Sequence, residues 1–407
     1  MKAVVFHASV PRYLTTMALG AIHKDLYYGP LSCVSLKDID IPTLPNENWV
    51  LIKTIYGGIC GSDLNMILLH DSPSTSPFVS FPFVIGHENV GIVAQKGNNV
   101  KEFCVGDRVV ADPLLSCDVR EIDPPCPNCI AGNYSLCENI TKPPIAPGIS
   151  IGFCRNTSGS WGEYYLAHKS HLYKVNDSIT NEEAVMIDPI CSALHPVMNN
   201  FPDNNEKVLV VGSGVIGLLV VACIRALGSN CHITVMAKYD FQADMAKEFG
   251  ADKIIYTRNT DYYDELKTIT HGELYQPILG KRFMLGGFDK VFDCVGSSSS
   301  IDESLRFTRA KGTMILVGLA SYPKKVDWTP IWFKELKLTG SMYYNTEIKK
   351  DGTKEPAYKI ALDLLSSKKL KVRNMLTHTF ELKDYRKAIK TALDKKNSHS
   401  LKVAFRF

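Results

Sequence analysis

Lys207-Val208-Leu209-Val210-Val211-Gly212-Ser213-Gly214-Val215-Ile216-Gly217 is the stretch that decides the fold of this chain. A charged lead-in opens onto a fully apolar run, which reads as a buried strand. Three glycines follow at once, then a helical run from Leu218 to Leu227 closed by Gly228. The rhythm continues with a strand from Ile233 to Met236, a helix over about 241–249 ending at Gly250, and a strand from Lys253 to Tyr256. Later, residues 290–295 and 313–317 read as buried strands, each running into glycine. Strands alternating with helices predict a parallel, doubly wound sheet and an α/β fold over residues 196–345. Residues 270–287 interrupt the pattern and read as an insertion.

Between a strand and a helix, the Gly-x-Gly-x-x-Gly spacing acquires a physical meaning. Gly212 allows the tight turn, Gly214 lets the backbone approach a pyrophosphate, and Gly217 lets helix and strand pack closely. The helix start at Val215 and Ile216 offers free N–H groups and partial positive charge to phosphates. The stretch therefore reads as a dinucleotide site, completed by Val295 and Val317 at the ends of two later strands. An NAD site usually ends its second strand with an acid that binds the ribose 2′-hydroxyl. Here Ala237 stands in that place with Lys238 beside it. Losing a carboxylate and gaining a cation suits a 2′-phosphate, so the reading favours NADP(H). NAD(H) stays open should Asp240 take the acidic role.

Working outward, residues 1 to about 190 are β-rich. Short runs such as 49–54, 90–93 and 108–111 are separated by Gly, Pro and Asn. Residues 9–31 show no clear period and read as an inserted loop. After about 345, Lys349-Lys350, Lys368-Lys369 and Lys395-Lys396 read as solvated helix faces, and the strand from Leu401 to Phe407 is expected to rejoin the first domain. A length of 407 residues suits two domains, and 45% apolar with 22% charged residues supports a buried core. A net charge of +4 without a basic, aromatic-interleaved stripe argues against nucleic acid as partner. The start is too soon interrupted for a signal peptide, and the most apolar stretch, Val208 to Ile224, is glycine-broken and too short to span a membrane. The expectation is a cytoplasmic protein without membrane contact. Four of the twelve cysteines cluster between 117 and 137, a pattern better suited to metal ligation than to disulfides.

Three separated pieces carry metal-ligand chemistry. They are Gly58-Ile59-Cys60-Gly61-Ser62-Asp63, Gly86-His87-Glu88 and Ile187-Asp188-Pro189. Thiolate, imidazole and carboxylate are the donors zinc accepts, and a catalytic zinc takes three of them and keeps one position open.

The cysteine motif, Gly-His-Glu and a dinucleotide unit after a β-rich domain together resemble the zinc-dependent medium-chain dehydrogenase/reductase family of alcohol, polyol and sugar dehydrogenases. The likeness spans almost the whole chain. It implies a GroES-like β-barrel catalytic domain (1–195 and 346–407), a structural-zinc lobe at about 112–140, and a Rossmann domain (196–345). The catalytic zinc would lie in the cleft between them. It implies Cys60, His87 and Asp188 as catalytic-zinc ligands, with Cys191 competing for the third place. Glu88 matches an acid that in some members ligates zinc or alternates with water. Ser62 matches the hydroxyl that takes the substrate proton, and Asp63 is read as orienting a neighbour. Where many members carry a relay histidine this chain has Asn65, and His70 and His195 are unproved substitutes. The lobe carries four cysteines in the family; Cys126, Cys129 and Cys137 match, and the first position falls on Asp123, with Cys117 as alternative. The implied activity is reversible hydride transfer between an alcohol and NADP, giving ketone or aldehyde, in a homodimer or homotetramer. A zinc-free quinone or enoyl reductase on the same fold, or a dinucleotide-binding protein without turnover, are the rival readings.

Overall fold

The structure, a computed structural model, describes residues 1–258 and 262–407. The chain divides into two compact units, Met1–Asp188 with Glu355–Phe407, and Pro189–Lys354.

The first unit is built on the strand Trp49–Gly58, which is buried along nearly its whole length because it has neighbours on both sides. It pairs antiparallel with Asn89–Lys96, with Tyr164–His168 along its first half, and with Lys402–Arg406 at its end, where Ala404 faces Gly58. The final strand of the chain thus inserts beside the segment that leads into Cys60. Two apolar clusters fill the unit. One gathers Phe6, Ile59, Ile67, Phe83, Ile85, Trp161, Val403 and Phe405. The other gathers Trp49, Ile52, Val93, Val109 and Tyr165.

The second unit holds a six-stranded parallel sheet. Its order is Lys253–Tyr256, His232–Ala237, Lys207–Val211, Phe288–Asp293, Thr308–Leu316, Lys337–Gly340. In sequence terms this is 3-2-1-4-5-6, with the chain reversing its direction of travel between the first and fourth strands, where nucleotides bind in such sheets. The helix Val215–Ala226 begins directly after Gly214. Gly212 has φ +94°, and a Cβ on Gly217 would lie 1.9 Å from the Gly212 carbonyl oxygen, so neither tolerates a side chain.

Residues 9–31 are not a loop. They form the helix Val10–Ile22 and a 3-10 turn, Lys24–Tyr28. The helix buries Thr16 and Gly20 and exposes Val10, Leu14, Met17 and Ile22, so its apolar residues face outward and no amphipathic period can be read. Residues 270–287 contain a short hairpin, Glu273–Tyr275 with Phe283–Leu285. Among the described residues no helix is long and apolar enough to cross a membrane.

Candidate metal and nucleotide sites

Cys60 lies two residues past the strand Trp49–Gly58 and caps the helix Gly61–Ile67. Its sulfur accepts the Asp63 backbone N–H, and its own N–H donates to Asp63 Oδ2 at 2.8 Å. Asp63 is fully buried, and its other oxygen lies 3.4 Å from His87 Nδ1. A ligating histidine commonly spends one ring nitrogen on a carboxylate in this way, which fixes its tautomer. Asn89 donates to the His87 carbonyl at 2.8 Å and is itself held by Tyr165.

Cys60, His87 and Glu88 bring ligand atoms within 4.8 Å of one another. Beside this group Ser62 Oγ is buried without a hydrogen-bond partner, while the Glu88 carboxylate carries the Lys402 ammonium on both oxygens. A soft thiolate, an imidazole and a carboxylate beside an unsatisfied hydroxyl suit a zinc site, so the residues fit the ion. Neither Asp188 nor Cys191 belongs to the close group. Asp188 is buried in the first turn of the helix Ile187–Asn199, and its charge acts on both Glu88 and Lys402. Glu88 follows His87 directly in the chain and enters the group because Gly58 opposite has no side chain: a Cβ there would sit 2.0 Å from Glu88 Oε2. Burial alone would lower the Lys402 ammonium, but the charges of Glu88, Cys60 and Asp188 outweigh it and raise its pKa.

The second cluster is Cys117, Cys126, Cys129 and Cys137, all buried. Its fourth member is Cys117. Asp123, the sequence expectation, is exposed and outside the group. The short helix Cys117–Arg120 folds this segment back, so Cys117 Sγ receives the Cys126 N–H at 3.3 Å and lies 3.6 Å from Cys137 Sγ. The Cys129 thiol hydrogen-bonds Cys137 and is the largest cause of lowering it to about 5, the ionised form a metal requires. Arg120, fully buried, donates to the carbonyls of Leu115, Ile145, Ala146 and Gly148 and locks the lobe to the barrel.

In the second unit, Val295 packs against Gly212, and Val317 donates its N–H to the Asp293 carbonyl at 2.9 Å. Asp293, with no role assigned from sequence, is buried at the end of the fourth strand and accepts the N–H groups of Val295 and Gly296. Burial pushes its carboxyl up. Ala237 is buried at the end of the second strand, while Lys238 is exposed beside Tyr239. A second cation, Arg258, lies just past the third strand, which pairs with the second. It lies over Tyr256 and donates to Asp240 at 2.8 Å. Asp240 is thus engaged by Arg258 at the start of its own helix. Of the two histidines weighed for proton transfer, His70 is exposed against Tyr27, and His195 is bound to Glu347 at 2.6 Å.

The zinc-binding dehydrogenase family model matches residues 215–367, and the alcohol dehydrogenase GroES-like domain model matches residues 46–177. An L-idonate 5-dehydrogenase from Vitis vinifera is 32% identical over 90% of this chain and 89% of its own. The chain belongs to the zinc-dependent medium-chain dehydrogenase family. A sorbitol dehydrogenase from Bacillus subtilis is 28% identical over 89% of this chain and 92% of its own. The solved 2R,3R-butanediol dehydrogenase of Bacillus subtilis shares the fold, with a TM-score of 0.73 at 22% identity over 100% of this chain and 99% of that one. This medium-chain dehydrogenase is an oxidoreductase acting on alcohols, with zinc and a nicotinamide dinucleotide as cofactors.

Proposed function

We propose that this dehydrogenase reversibly oxidises a polyol, sugar or small secondary alcohol with NADP, at a zinc held by Cys60, His87 and a carboxylate. The reading rests on the convergence of Cys60, His87 and Glu88 from two segments of the chain. The substrate class draws on the L-idonate and sorbitol dehydrogenases that the chain resembles. When bound, zinc supplies a Lewis acid that makes a substrate hydroxyl acidic, worth several kcal/mol of charge stabilisation. The chain's own groups do the rest. Asp63 fixes the His87 ring through Nδ1. Ser62 Oγ, buried and unpartnered, accepts the substrate's hydroxyl proton and passes its own outward. Asn65 stands where a relay histidine would and cannot titrate, so the proton leaves through water or ribose hydroxyls. The hydrogen on the alcohol carbon departs as hydride to the nicotinamide, carrying both electrons.

NADP is favoured by Lys238 and Arg258, two cations at the ends of paired strands with no acid at Ala237. A homodimer or homotetramer is supported by the strand Lys337–Gly340. It ends its sheet with one neighbour and has exposed Trp332, Phe333 and Leu338 close by in sequence. Twelve cysteines with no disulfide among the described residues suit a reducing compartment, which supports the cytoplasm.

A screen of polyols, sugars and secondary alcohols, read by reduced-cofactor absorbance, tests the activity. Zinc-free protein reducing quinones or enoyl compounds would replace this reading with that of a reductase. Lys238→Ala and Arg258→Ala should each raise KM for NADP about tenfold, the loss of one charged contact, and leave that for NAD unchanged. Equal changes for both cofactors would remove the 2′-phosphate argument.

A further inference from the structure

The hairpin that interrupts the α/β rhythm of the second unit is apolar on both of its faces. Glu273–Tyr275 and Phe283–Leu285 pair antiparallel, so their side chains alternate between two sides. On one side Met284, opposite Leu274, is fully buried in the cluster that holds Phe288 and Val291. The other side of such a hairpin is ordinarily polar. Here it carries Tyr275, Phe283 and Leu285, of which Tyr275 and Leu285 are exposed. At the tip Ile278 is fully exposed and Leu279 is 88% exposed. The hairpin is nevertheless pinned. Lys281 pairs with Asp302 and Glu303, and Arg282 donates to Asp264 at 3.1 Å, so the neighbouring helices take up both of its cations. Phe283 packs on Phe333 with ring centroids 5.3 Å apart, and Phe333 lies 5.9 Å from Trp332. A row of rings thus runs from Tyr275 to Trp332, which is 69% exposed, close in sequence to the edge strand Lys337–Gly340.

We propose that this hairpin is an arm that seats on a second copy of the chain, the tip of each copy against the ring row of the other. The inference deepens the homo-oligomer reading above and rests on it. Area, charge and symmetry each select another copy as the occupant. Tyr275, Trp332 and Phe333 leave more than half of their surface open. With Ile278 and Leu279 the open apolar surface is on the order of 700 Å², taking about 150–250 Å² for each aromatic side chain. That exceeds the largest apolar patch of an ordinary monomer, about 300–600 Å², and approaches the roughly 800 Å² that each partner gives to a standard interface. The tip, Gln276-Pro277-Ile278-Leu279-Gly280, carries no charged residue. A foreign partner is steered and selected by complementary charge, whereas an apolar, ring-rich surface is the composition of a homodimer interface. Because each copy offers both a tip and a row, a two-fold axis lets the same contact form twice.

The test is sedimentation equilibrium of the intact, zinc-loaded enzyme over a wide concentration range. The wild type should self-associate; a monomer throughout would sink the oligomer reading and this inference together. Ile278→Asp/Leu279→Asp should weaken self-association by at least about a hundredfold, since two aliphatic side chains lose their burial and two charges meet an apolar surface. Both side chains are exposed within one copy, so the circular dichroism of the variant should match the wild type. Wild-type association in this variant overturns the arm while leaving an oligomer through the edge strand intact. Val10→Asp/Ile22→Asp removes comparably exposed side chains from the helix Val10–Ile22 of the first unit and should leave association unchanged. An equal loss in both variants would reveal general stickiness and overturn the proposal. A benzophenone side chain placed at Ile278 in otherwise wild-type enzyme decides the matter should the aspartate variant fail to fold. On illumination it should join two chains, with the crosslink mapped by mass spectrometry to residues 328–340 of the second. Crosslinks confined to one chain, or landing elsewhere on the second, overturn the proposal.

Discussion

The two candidate metal clusters in the first unit are built from overlapping chemistry toward opposite ends. The lobe draws four thiols from one continuous stretch between Cys117 and Cys137, all buried, with backbone N–H groups on the sulfurs and Arg120 anchoring the loop. Its donor set is complete. The Cys60 site mixes thiolate, imidazole and carboxylate, keeps Ser62 Oγ unsatisfied, and places a buried ion pair at its edge. Its donor set is deliberately short by one. Four identical ligands close around an ion and hold a fold, whereas a mixed, incomplete set leaves room for chemistry.

The sharpest way to break this contrast is Cys60→Ser. Alcohol oxidation should fall about a thousandfold, since several kcal/mol are at stake at about 1.4 kcal/mol per decade. Metal analysis should show the lobe still loaded. Retained oxidation would mean the two clusters do not differ in role.

In the lobe itself, Cys117→Ser should lose the structural zinc and lower the thermal midpoint, whereas Asp123→Ala should change neither zinc content nor midpoint. The reverse result would reinstate Asp123 as the fourth ligand. A smaller effect is expected from Asp63→Asn, which leaves the first ligands in place but weakens the hold on His87. Zinc affinity at the Cys60 site should drop about 10–100-fold, measured by competition with a chelator, while the lobe keeps its metal.

The smallest effect concerns two buried lysines. Lys402 faces a carboxylate and is held above its ordinary pKa. Lys334 faces the carbonyls of Arg306 and Thr308 and the ring of Phe283, and burial pushes it down to about 7. Between about 7 and the ordinary lysine value of 10.5, the unfolded chain binds a proton that the folded one does not. Stability therefore rises with pH across that window. Relative to Lys334→Met, the wild type should gain in thermal midpoint between pH 7 and 10. A flat difference would show that Lys334 stays charged when buried.

Much of this was legible without coordinates because the relevant physics is local. The turn at Gly212–Gly217 is a backbone requirement, so glycine marks it in any context, and the alternation of strands and helices around it follows. His87 and Cys60 stand out by residue type and by their glycine neighbours. Other features gave no local signal. The helix Val10–Ile22 hides its period because its outward face is apolar. Arg258 falls two residues beyond a strand, where an arginine normally reads as solvated surface. Cys117 lies nine residues before Cys126, outside the regular spacing, and becomes a neighbour only because its segment turns back.

The sequence alone determined the donor types, the dinucleotide turn and the order of the two units, since each depends on what a few adjacent residues can physically do. Only the tertiary structure decided which distant side chains share a site. Lys402 reaches Glu88 across 314 positions because the last strand pairs beside Gly58, and strand pairing is fixed by the packing of a whole sheet, not by any short run of residues.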